Sequence, residues 1–232
     1  LFGGLVEVVE VIFLITLLST AMSSTALPTD LGEIVFVEPP GWYAPFRLKM
    51  VKIAGSSWTK PQILAEIHKT NRIFRRCGIK ITSLELAELN FDQNITRHNL
   101  AQFTRSLTNL GFRDPNRVLV ILGPELSGER NMLGFAFHKW VSPRNDLGRY
   151  IVNSAYISAR VSRFKDKPVL AHELAHVVLK SAHVDFPNLL GQPSIRSASL
   201  TATQCRKIAA TNLLERDLGN HLAVIPWPRK KF

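Results

Sequence analysis

Cysteine is scarce in this 232-residue chain: there are two, Cys77 and Cys205, far apart. Neither sits in a C-x-x-C pair, which excludes a zinc ribbon and a thioredoxin-type site. Methionine is nearly as rare, with Met22, Met50 and Met132, and none in the last hundred residues. Acidic residues are few, 18 against 29 Lys and Arg, leaving a formal charge of +11. Such a field favours acidic partners, among them anionic surface polymers. The basic residues are scattered, apart from Arg75-Arg76 and Arg229-Lys230-Lys231. No aromatic-interleaved basic stripe accompanies them, so a specific nucleic-acid site is not expected. There is no internal repeat or low-complexity tract, and the length suits one domain with a full core.

Residues 1–26 contain no Lys or Arg, although Val11-Ile12-Phe13-Leu14-Ile15-Thr16-Leu17-Leu18 is a continuous apolar run. Ser24-Thr25-Ala26 is similar to a small-residue cleavage site, so 1–26 reads as a signal peptide or an N-terminal anchor. Glu10 limits the clean apolar span to about 17 residues, the lower edge for a membrane helix. The expectation is a secreted or periplasmic protein, touching a membrane only if this segment is uncleaved. Residues 27–44, with Pro28, Pro39, Pro40 and Gly41, read as a linker or extended lead-in. The domain is expected over 45–232.

Phe46 to Met50 alternates apolar and basic, a strand signal. A helix is expected from Thr59 or Lys60, with Pro61 in its first turn, Ile63, Ile67 and Phe74 inward, and Cys77-Gly78 as its end. Ile79-Lys80-Ile81 opens a second strand that continues through Leu84 and Leu86. A second helix is expected over Thr96–Leu110, with Gly111 as its C-cap. Val118–Leu122 reads as a buried strand, and Gly134–Phe137 and Tyr150–Val152 as shorter ones. Near the end, Thr201 and Gln204 form a capping box for a helix continuing through Ile208, Ala209, Leu213 and Leu214. The order fits an α+β domain, a twisted, mainly parallel or mixed sheet backed by helices.

The chemistry sits in Ala171-His172-Glu173-Leu174-Ala175-His176-Val177-Val178-Leu179. This is H-E-x-x-H in an apolar run. On a helix His172 and His176 share one face, able to reach one metal ion, with Glu173 beside it as a base. By chance the motif arises in roughly one chain in a hundred of this composition, so the pattern is read as a site. His183 is the candidate third ligand. Asp185 and Glu215 are the alternatives. His68, His98, His138 and His221 have no ligand spacing.

The stretch from His172 to His183 resembles the active-site helix of zincin metallopeptidases, most nearly the metzincin pattern H-E-x-x-H-x-x-G-x-x-H. Leu179 stands where that pattern has Gly, and Ala182 where it has the third His. His183 to Leu190 is similar to a bacterial metzincin-like pattern, H-x-D-x-P-x-N-L-M, with Leu190 at the Met position. The resemblance implies a zincin-like fold, a Zn2+ ion held by His172, His176 and His183, and Glu173 as general base in peptide-bond hydrolysis. It also implies that Gly134, Phe135 and Ala136 form an edge strand lining the cleft, pairing with an extended protein or peptide substrate. In an exported protein a Cys77–Cys205 bridge is expected. The alternative is a catalytically weak zincin-like basic binding module at an anionic surface.

Overall fold

The alternation around Phe46 becomes strand β2 (Ala44–Ile53), which puts Phe46, Leu48 and Met50 on one face and Val51 and Ile53 in the layer behind. In the computed structural model the described residues are 29–35, 43–91, 103, 107, 117–125, 132–137, 153–163, 166–181, 183–184, 188–191, 199–211 and 213–214. The expected signal segment 1–26 lies outside them. Among the described residues no helix is long and apolar enough to cross a membrane.

Helix α1 (Lys60–Phe74) starts as its sequence dictates. The Thr59 side chain accepts from the Gln62 amide, and the Gln62 side chain accepts from the Thr59 amide. Its end tightens into a 3-10 turn, Arg75–Cys77, and Gly78 then takes φ +69, a left-handed conformation that glycine adopts without Cβ strain. Strand β3 (Ile79–Leu89) follows, parallel to β2. Buried Asn71 on α1 binds the Ile81 backbone on both sides, donating to its carbonyl at 3.1 Å and accepting from its amide at 2.7 Å. These bonds satisfy peptide groups that would otherwise cost about 1–3 kcal/mol each when buried.

Strands β4 (Val118–Gly123), β5 (Gly134–Phe137) and β6 (Ser154–Ser158) complete a six-stranded mixed sheet in the order β1-β3-β2-β4-β6-β5. The four inner strands are parallel; β1 (Thr29–Val35) and β5 are antiparallel to their neighbours at the two edges. Three differences from the sequence reading stand out. The lead-in read as linker contributes β1, an exposed edge strand with an irregularity between Asp30 and Glu33, where Gly32 has φ +88. An edge strand needs no buried alternation, so its pattern was silent. The strand expected at Tyr150–Val152 lies outside the described residues; the one observed, Ser-Ala-Tyr-Ile-Ser, is wholly buried and built largely of small residues. The last helix stops at Ala209, with Leu213 and Leu214 buried beyond it.

Helices α1, α2 (Val169–Leu179) and α3 (Ala202–Ala209) back one face of the sheet. The expected Thr96–Leu110 helix lies outside the described residues except for Phe103 and Leu107, which are helical and buried against the other face with Leu119, Ile121 and Tyr156. A Cys77–Cys205 disulfide joins α3 to the turn after α1. Across 128 residues such a closure is worth roughly 4–5 kcal/mol in the chain-entropy model.

Candidate metal centre

Helix α2 is buried on all sides from Val169 to Val178, so it runs through the core rather than over it. Its first turn has no side-chain cap of its own. Glu66 of α1 is buried nearby, and the Leu170 amide hydrogen-bonds its carboxylate. A negative charge there matches the positive end of the helix dipole. Burial raises the Glu66 pKa, against the opposing pull of Lys69 and that amide.

At the other end the helix must release the chain toward His183 without a glycine. Lys180 does this, with φ 50 and ψ 40, the left-handed conformation. The metzincin pattern turns at the position of Leu179 and places its third His three residues later. Here the left-handed residue is Lys180, and His183 follows it by three.

The three imidazoles converge. His172 Nε2 lies 3.1 Å from His176 Nε2 and 3.3 Å from His183 Nε2. One ligand atom from each ring falls within 4.8 Å of the others. The far nitrogens of the helix-borne pair are engaged: His172 Nδ1 donates to the Leu189 carbonyl at 2.6 Å, and His176 Nδ1 to the Ser181 carbonyl at 2.7 Å. These acceptors assign the Nδ1–H tautomer, which leaves a lone pair on each Nε2. Burial lowers the His172 pKa to about 4, with the Leu189 carbonyl pulling it up and His183 pushing it down. At neutral pH His172 therefore carries no second proton. Lone pairs that face each other at 3.1 Å repel unless a cation lies between them. Nitrogens about 2.0–2.1 Å from one tetrahedral ion would stand roughly 3.3 Å apart, so the donor set fits zinc.

Glu173 projects from α2 toward the sheet edge and is buried. Burial pushes its pKa up to about 8. A Cβ at Gly134 would meet Glu173 Cγ at 2.9 Å and Oε1 at 3.0 Å, so the missing side chain of β5 makes room for this carboxylate.

No protein-family model matches the sequence, and no curated protein matches it. Solved structures do. Metalloproteinase-II from Bacteroides fragilis is similar at 14% identity with a TM-score of 0.49, over 81% of this chain and 58% of its own. Archaemetzincin from Methanopyrus kandleri is similar at 15% identity with a TM-score of 0.46, over 76% of this chain and 99% of its own. This chain thus spans little more than half of the Bacteroides protein. With both TM-scores under 0.5, the chemistry has to rest on the residues themselves.

Of the expected site residues, His172, His176 and His183 come together, and Glu173, next to His172 on α2, packs against Gly134. The edge strand splits between faces. Ala136 packs toward the helical layer, whereas Phe135 stacks on Tyr156 behind the sheet, 5.4 Å between centroids. Asp185 and Glu215, the other third-ligand candidates, lie outside the described residues, as do His98, His138 and His221. His68 is on α1, away from the cluster. Leu190, at the Met position, is buried in the main core. The sequence reading missed the two carbonyls, of Leu189 and Ser181, that orient the rings. Backbone acceptors carry no residue-type signal, so only the fold reveals them.

Proposed function

We propose that this chain is a zinc-dependent hydrolase of peptide bonds, with His172, His176 and His183 holding the metal and Glu173 as general base. The observation that carries this reading is the pair of helix-borne imidazoles with both Nδ1 atoms donating to carbonyls, so that their Nε2 lone pairs face each other at 3.1 Å. A divalent ion in that cluster supplies Lewis acidity, lowering the pKa of a water toward neutrality and polarising a carbonyl oxygen.

The chain's own groups do the rest. Glu173 would take a proton from the attacking water as its oxygen bonds to the scissile carbonyl carbon, and return it to the amine as the C–N bond breaks. Burial raises its pKa, and the charge of a bound divalent ion would oppose that rise and favour the carboxylate that accepts the proton. Strand β5 offers its outer edge to an extended peptide, with Gly134 and Ala136 on the side nearer Glu173. The Cys77–Cys205 bond supports an oxidising compartment, and with it export.

The competing reading, a basic zincin-like binding module at an anionic surface, draws on the +11 charge. One substitution separates the two. Glu173→Gln keeps the shape of the side chain and removes the base. On a broad peptide library it is expected to lower hydrolysis at least a hundredfold while zinc content stays the same. Zinc binding without any Glu173-dependent hydrolysis would favour the binding module.

A further inference from the structure

We propose that Gln204 and Asn188 are positioning residues of the metal centre, whose paired side-chain amides hold in place the Leu189 carbonyl that orients His172. The proposal rests on the metal reading of the histidine cluster and extends it to residues outside the ligand set.

Asn188 is buried, and both polar atoms of its side chain are bonded. Its Nδ2 donates to Gln204 Oε1 at 2.8 Å, and its Oδ1 accepts from Gln204 Nε2 at 3.2 Å. The same Oδ1 accepts from the Leu190 amide at 3.0 Å. The residue between, Leu189, is thus fixed on both sides. Its amide donates to the Ser199 carbonyl at 2.7 Å, and its carbonyl takes the His172 Nδ1 proton. The amide pair thereby restrains the backbone on the side of Leu189 that leads into it.

Gln204 is itself immobilised. Its Oε1 also accepts from the Thr201 amide at 2.8 Å, as the second half of the α3 capping box. The next residue, Cys205, is bonded to Cys77. A continuous set of bonds therefore runs from the turn after α1, through α3 and the amide pair, to the first metal ligand. Partners that fix a ligating imidazole's tautomer and ring angle typically account for about 10- to 100-fold in metal affinity.

The test compares two changes in the same capping box. Gln204→Met keeps the length of the side chain and removes the amide pair. Thr201→Ala removes the capping hydroxyl and leaves the pair intact. Zinc affinity of the full chain is measured by competition with a chromophoric chelator, and the cobalt-loaded protein by its visible absorption. Gln204→Met is expected to weaken zinc binding by about 10- to 100-fold and to alter the cobalt spectrum. Thr201→Ala should lower thermal stability yet leave affinity and spectrum as in the parent. Should Gln204→Met not fold, Asn188→Ser removes the same pair from the other side and carries the same expectation. Equal affinities for Gln204→Met and the parent, or an equal loss in Thr201→Ala, would overturn the proposal alone. A parent chain that binds neither zinc nor cobalt overturns the metal reading and this proposal with it.

Discussion

His172 and His176 differ from His183 in burial and in the backbone that carries them. The first two stand on a buried helix, at 4% and 5% exposure, each with its far nitrogen donating to a carbonyl at under 2.8 Å. The third is exposed and follows a left-handed turn made by a lysine. Under the proposed function the helix would fix two ligands before any metal arrives, and the segment after it would deliver the third. Pre-organisation of this kind puts the ordering cost into folding rather than into binding.

The sharpest way to break the contrast is to remove the ligands singly. Alanine at His172 or His176 should abolish zinc binding at micromolar metal, because it removes half of a fixed pair. Alanine at His183 should weaken binding on the order of a hundredfold, since water can take the third place. Isothermal titration of the three variants gives the comparison. Equal losses at all three positions would erase the distinction.

A smaller effect comes from pH, with the metal stripped by chelator. The folded state holds the Glu173 proton up to about pH 8, against an ordinary value of 4.5. Its stabilising contribution is complete below the ordinary value and fades as pH climbs toward 8. His172 runs the other way: its pKa falls from 6.5 to about 4, so its contribution is complete above 6.5 and fades as pH drops toward 4. The two oppose each other between 4.5 and 6.5. From 6.5 to 8 only the Glu173 effect remains, and the melting temperature of the metal-free protein should decline across that window. A flat melting temperature there would mean that Glu173 is more solvated than its burial implies.

The smallest effect probes the turn. A non-glycine residue in the left-handed region costs about 1 kcal/mol, so Lys180→Gly should raise unfolding stability by about that amount in denaturant melts. Zinc affinity should change little, since His183 keeps its place three residues on.

The same contrast explains what could be read from residues alone. The capping boxes at Thr59 and Thr201, the buried β4 and the helix with its His-Glu pair were legible because each depends on side chains at fixed spacing. The disulfide partners were legible because only two cysteines exist. Strand β6 was not, because Ser154, Ala155 and Ser158 give no apolar run, although tertiary packing buries them all. Strand β1 was hidden for the opposite reason: an exposed edge imposes no pattern. At the site, the residue type of Lys180 gives no sign of the left-handed turn that its backbone makes. The Asn188–Gln204 pair joins residues 16 apart, a contact that no local periodicity encodes.

The central claim is that one divalent ion sits among three imidazoles, and metal analysis of the purified full chain tests it most directly. After equilibration with zinc and exhaustive dialysis, one equivalent per chain is expected in the parent, with none retained by His176→Ala. A parent without zinc, or zinc that survives the loss of His176, would contradict it.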